Sequence, residues 1–136
     1  MRANLLSRSV CIVLVLIAGC GLTRPTPAPV SEPGVIQAQR DAVQLLQTGL
    51  KQYDQGQYKR AAATLQQALD MGLVPANQTL AYKHLAFISC TSNRESQCRN
   101  EFRKALELDS RFDLTPAEAG HPQWGPVFRS VKAISK

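Results

Sequence analysis

Proline is absent from Val35 to Val74, and that gap does most to fix what the chain can fold into. Ala, Leu and Gln dominate the stretch, and these residues favour helix. Its apolar residues recur at helical spacing: Val43, Leu46, Leu50 and Tyr53. Gly56 interrupts the pattern, and Tyr58, Ala61, Leu65, Ala68 and Leu69 resume it. Met71 to Pro75 is a second break, holding Gly72 and Pro75. A third stretch carries Leu80, Leu85 and Ile88, with Ala81, Ala86 and Phe87 among them. After a polar turn at Thr91 to Asn93, a fourth carries Cys98, Phe102, Ala105 and Leu106. No segment shows the two-residue alternation of a half-buried strand. The expected fold is all-α.

The start of the chain has a different texture. Met1 to Ser9 holds Arg2 and Arg8 and no acid, and Val10 to Ile17 is an unbroken apolar run. That run is too short to span a bilayer as a helix. Small residues follow at Ala18 and Gly19, then Cys20. A basic start, a short apolar core and a small-residue exit read as a secretory signal over residues 1–19. The stretch Leu16-Ile17-Ala18-Gly19-Cys20 resembles the bacterial lipobox, which implies that Cys20 is lipidated and becomes the new N-terminus. The alternative is ordinary cleavage that happens to leave a Cys. Multiple acyl chains anchor a protein stably where one does not. Gly21 stands where an Asp commonly retains lipoproteins at the inner membrane, so the resemblance implies the outer membrane; a protein facing the periplasm is the expectation, and one facing the cell surface is the alternative.

Gly21 to Gly34 contains Pro25, Pro27, Pro29 and Pro33. Such spacing stiffens a chain towards polyproline II. At about 3.1 Å per residue, the segment reaches about 40 Å. Residues 20–34 are therefore read as anchor and tether, and 35–136 as the folded domain. The 136 residues allow one domain at most. The formal charge of +6 falls to +4 once Arg2 and Arg8 are removed with the signal. That is too mild for a nucleic-acid binder, which shows a dense basic face.

A repeat runs through the helical part. Gly49, Gly56, Tyr58, Ala61, Leu65, Ala68 and Leu69 resemble the tetratricopeptide repeat, a pair of helices. Gly49 and Ala61 match its small helix-contact positions, and Tyr58, Leu65 and Ala68 match the second helix's packing face. Leu45 stands where the family usually has Trp. A second copy holds Tyr82, Leu85, Ala86, Cys98, Phe102, Ala105 and Leu106. Gly49 to Ala86 and Ala68 to Ala105 are both 37 residues, so the copies share one register. Two repeats need covering at their ends. The candidate cap is the C-terminal segment. Thr115-Pro116-Ala117-Glu118 has the form of a capping box, and Pro126 opens a last helix with Val127, Phe128, Val131 and Ile134. The expected architecture is two tetratricopeptide-like hairpins plus a C-terminal capping helix. Trp124 reads as part of that cap; the alternative is an exposed partner-binding hook.

Cys90 and Cys98 remain once Cys20 is set aside and Cys11 leaves with the signal. In an exported chain an even pair suggests a disulfide. The repeat register places Cys98 at a small contact position and Cys90 near the end of the preceding helix. The alternative is two buried free thiols. The spacing is not that of a redox-catalytic C-x-x-C.

Catalytic signatures are missing from the pattern. His84 and His121 are isolated, no metal-ligand spacing occurs, and there is no glycine-rich phosphate loop. The reading is no enzyme, no cofactor, no metal and no small-molecule substrate. In tetratricopeptide proteins the first helices line a partner-binding face. The resemblance puts Val43, Leu46, Leu50 and Tyr53 there from the first copy, with Leu80, Lys83 and Phe87 from the second. The alternative is that the Val35–Ile36 lead-in or the C-terminal helix fills that face.

The tail adds a second likeness. Cys90…Cys98, Phe102-Arg103-Lys104-Ala105-Leu106 and the run Asp113 to Phe128, which reads DLTPAEAGHPQWGPVF, resemble a family of lipoproteins associated with type VI secretion systems. The likeness spans about residues 36–132. It implies an accessory scaffold at the outer membrane that binds an envelope protein of the apparatus. The alternatives are a pilot lipoprotein for a secretin or pilus pore, and an activator of a peptidoglycan enzyme.

Overall fold

The computed structural model describes residues 33–135. The signal, Cys20 and the tether up to residue 32 lie outside the described residues. Six helices follow in order: α1 (Pro33–Asp54), α2 (Tyr58–Asp70), α3 (Pro75–Thr91), α4 (Glu95–Leu108), α5 (Pro116–Ala119) and α6 (Gly125–Ile134). No strand occurs among the described residues, so the all-α expectation holds. α1 begins two residues before the sequence boundary at Val35, so its first turn lies in the stretch read as tether. No described helix is long and apolar enough to cross a membrane.

Helix pairing follows chain order. α1 lies mainly on α2, and α3 mainly on α4, while α6 returns onto α4 and α5 approaches α6 alone. Each of the first two pairs turns through the same backbone device. At the end of α1, Gly56 adopts a left-handed φ of 73°. Its N–H reaches the Tyr53 carbonyl at 2.9 Å, and Gln57 N–H reaches the Gln52 carbonyl at 2.9 Å. At the end of α3, Asn93 takes φ 57°. Its N–H reaches the Cys90 carbonyl at 3.2 Å, and Arg94 N–H reaches the Ser89 carbonyl at 2.9 Å. Both are Schellman closures, which satisfy the last carbonyls of a helix and need a residue tolerant of positive φ. Gly56 and Asn93 are 37 residues apart. The backbone therefore repeats at the offset found in the sequence.

Burial repeats at the same offset. Ala61 and Cys98, Leu65 and Phe102, and Ala68 and Ala105 are each fully buried. A Cβ added at Gly49 would sit 2.8 Å from the Leu65 side chain and 3.3 Å from its backbone nitrogen. Only glycine allows α1 and α2 that approach. Ala86, at the matching place in α3, is also fully buried.

Two apolar clusters result. The first joins Ala42 and Leu46 of α1, Leu65 and Ala68 of α2, and Ala81, Leu85 and Ile88 of α3. The second joins Ala86, Phe87 and Cys90 of α3, Phe102 and Leu106 of α4, and Val127, Phe128 and Val131 of α6. Thus α3 is covered on both sides, and every residue from Leu85 to Cys90 is buried. Leu114 enters the second cluster, with Trp124 and Phe112 packed against it. The C-terminal segment thus lies over the second apolar cluster through Leu114, Val127, Phe128 and Val131. Val35 and Ile36 stay exposed, so the lead-in covers nothing.

Candidate interaction face

Six of the seven residues read as partner-binding form three pairs at matched places on α1 and α3, Val43 with Leu80 among them, and Tyr53 stands without a counterpart. Lys83 and Phe87 of α3 stand 37 residues after Leu46 and Leu50 of α1. Their surroundings differ. Leu46 is 1% exposed in the first cluster, and Phe87 is 3% exposed in the second. Neither offers a surface to a partner, because neighbours in the chain already surround both. Leu50 and Tyr53 are half-buried. Tyr53 packs against both clusters, its ring 5.4 Å from Tyr58, 5.1 Å from His84 and 6.5 Å from Phe87. Burial, then the nearby Tyr58, Glu118 and Asp54, push its phenol up from the usual value.

The C-terminal segment covers the α3 half of the face. Lys83 Nζ lies 2.7 Å from Glu118 Oε1 and 5.8 Å from the centre of the Phe87 ring. Trp124 stacks on Phe87 at 4.4 Å between ring centres. The indole N–H of Trp124 donates to the Glu118 carbonyl at 2.8 Å. His121 also stacks on the indole, 3.3 Å between ring centres. Glu118 also closes the capping box. Thr115 N–H donates to Glu118 Oε2 at 2.9 Å, and Glu118 N–H donates to Thr115 Oγ1 at 3.3 Å. Burial raises the Glu118 carboxyl, but the Lys83 and Thr115 hydrogen bonds outweigh it and leave the group below the usual carboxylate value. Lys83 and Phe87 are thus covered by the α5 turn and Trp124, while the Val35–Ile36 lead-in stays exposed.

Three polar residues carried no assigned site role in the sequence. His84 directs Nδ1 to the Leu80 carbonyl at 2.9 Å, and its ring meets those of Tyr53 and Phe87. Burial chiefly lowers its basicity. His121 accepts the Gln123 N–H at 3.3 Å, a local turn contact of the kind its Gly-His-Pro setting suggests. In α4, Glu101 is 6% exposed and its Oε2 has no hydrogen-bond partner. Its Oε1 accepts from Gln97 Nε2 at 2.9 Å. Burial pushes its carboxyl above the usual value. The sequence singled out Cys98, Phe102, Ala105 and Leu106 in this helix and not Glu101, which the fold turns inward beside them.

Cys90 and Cys98 come together at the α3–α4 turn. Their sulfurs are bonded and their Cα atoms are 5.2 Å apart, the placement of a disulfide. Cys20 lies outside the described residues. Among the described residues, no three His, Cys, Asp or Glu side chains gather as metal ligands would. No family model, curated protein or solved structure matches the chain.

Proposed function

We propose that this protein is a non-enzymatic scaffold, lipid-anchored at Cys20 to the outer membrane, that holds an envelope protein of a type VI secretion apparatus. The observation that carries the scaffold part is the duplicated helix pair. Two hairpins share one turn device and one burial pattern at a 37-residue offset. That regularity supports reading them as tetratricopeptide-like repeats, which stack helix pairs to build a binding face. The anchor rests on the apolar run, the small pair and Cys20 agreeing in position. The secretion-system assignment rests on the likeness of the Asp113–Phe128 segment to that lipoprotein family.

The test is a crosslinked pulldown from membranes of cells expressing the full chain, beside a Cys20→Ser variant. The proposal expects wild type in the outer-membrane fraction with a secretion-apparatus protein attached, and the variant released from the membrane. Recovery of only a secretin, or only a peptidoglycan enzyme, overturns the assignment. A Cys20→Ser variant that stays in the membrane overturns the anchor.

A further inference from the structure

The segment from Asp113 to Gly125 crosses α3 on a small set of contacts. Of the other helices, α5 approaches only α6, so no helix packing binds it to α3. Against α3 it is held by Glu118 on Lys83 and Trp124 on Phe87; Leu114 and Gly125 are buried at its ends, Asp113 pairs with Lys132, and the Ala119 carbonyl accepts from Arg129. The same segment is firmly built within itself. The capping box closes its first turn, Trp124 Nε1 bonds the Glu118 carbonyl, and His121 stacks on the indole. Pro116, Ala117, Pro122 and Gln123 face solvent. Between the buried Leu114 and Gly125, residues 115–124 form a loop that is firm inside and meets α3 through two side-chain contacts, and loops with few buried contacts are the parts of a fold that open locally. Its two contacts on α3, Lys83 and Phe87, are also residues that the tetratricopeptide resemblance assigns to partner binding.

We propose that residues 115–124 form a self-occluding strap hinged at the buried Leu114 and Gly125: Glu118 and Trp124 occupy Lys83 and Phe87 as a bound partner segment would, and the partner that displaces the strap presents a carboxylate and an aromatic ring in the same way. This rests on the scaffold reading above and adds its regulation and the chemistry of its partner. The strap's own contacts define that chemistry. Lys83 needs an anionic neighbour in a half-buried place, and the Phe87 face needs a flat ring. With the strap lifted, Lys83 and Phe87 join Leu50 and Tyr53 in one continuous surface across both hairpins.

The experiment uses the full chain and a labelled peptide with the sequence of Leu114 to Gly125. Peptide is offered at up to about 1 mM, near the effective concentration a short tether gives. Wild type, with its own strap in place, binds none measurably. A Glu118→Ala, Trp124→Ala variant binds it, and adding Lys83→Glu abolishes the binding. A second measurement covers the case in which the double variant fails to fold. Glu118→Gln keeps a capping residue but weakens the link to Lys83. It should raise hydrogen exchange across the strap by about five- to tenfold and make Trp124 more quenchable by acrylamide. The proposal falls if a folded double variant ignores the peptide, or if Glu118→Gln leaves Trp124 as shielded as in wild type. No envelope protein enters these assays, so a failed pulldown leaves the strap standing, and a fixed strap leaves the anchored scaffold standing.

Discussion

The carboxyl of Glu101 is buried with one oxygen unpaired. An ionised group in that place costs free energy, so burial raises its pKa above the ordinary 4.5. A raised folded value means that the folded state binds the proton more tightly than the unfolded one. The stabilising contribution is complete below 4.5 and is lost as pH rises through the elevated value. At pH 7 the charge is a burden, and Glu101→Gln should stabilise the protein there by about 1 kcal/mol. Urea unfolding of both proteins at pH 4 and pH 7 checks this. The gap should widen towards pH 7, and an equal gap at both values would refute it. The difference between the two proteins is the quantity to use, because His84 contributes the opposite slope. Its lowered value adds stability above 6.5 that is lost as pH falls. Neither residue was legible as buried. Glu101 follows Thr64 by 37 residues, so the repeat puts a buried carboxylate where the first copy has a half-buried threonine. Composition alone places such a group in water. Gly49 was legible, since the tetratricopeptide resemblance matched it to a small helix-contact position.

Turns decide whether two helices lie side by side, and here the same closure serves both hairpins. Gly56 accepts φ 73° without cost, whereas Asn93 holds φ 57° with a Cβ. Asn93→Gly should therefore stabilise the α3–α4 pair by about 0.5–1 kcal/mol, and Gly56→Ala should destabilise α1–α2 by about 1 kcal/mol. Thermal midpoints of the two variants should move in opposite directions. The α3–α4 turn has a second constraint in the Cys90–Cys98 pair, which closes a loop of sequence separation 8. So short a loop removes modest entropy from the unfolded chain, worth about 2–3 kcal/mol. Reduction should add the mass of two hydrogens to the intact protein and lower its stability by that amount. An unchanged mass means the thiols are free. The elements themselves were readable because the glycines and prolines punctuate a clear helical period. The expected turn at Thr91 to Asn93 differs only slightly from the structure, where α3 runs on through Thr91. What the period did not separate was α3 from an ordinary surface helix. Its apolar residues lie all round because it is covered from two sides, and only the packing of α2 and α4 shows that.

At the scale of the molecule, α3 ties two apolar clusters into one body. Ala81, Leu85 and Ile88 point into the first, and Ala86, Phe87 and Cys90 into the second. The sequence revealed the repeat but not how far its face would be filled. The Lys83–Glu118 pair spans 35 residues, and no local pattern announces it. The two copies also diverge where filling is decided, with Leu46 in the first core and its counterpart Lys83 bonded to the strap. A shared central helix has a consequence for unfolding. Leu65 of α2 is fully buried in the first cluster and belongs to the hairpin remote from the strap. Leu65→Ala should cost about 2–5 kcal/mol through lost burial and the cavity left behind. Trp124, the single tryptophan, reports on the second cluster alone. If α3 makes the clusters one cooperative unit, the Trp124 fluorescence midpoint in urea moves with the far-UV circular dichroism midpoint in this variant, as two-state behaviour requires. If the hairpins unfold separately, the dichroism shifts while the tryptophan transition stays where it is in wild type. A Leu106→Ala variant, placed in the second cluster, supplies the converse check, since it must move both signals under one-unit unfolding and the tryptophan signal first under independent unfolding.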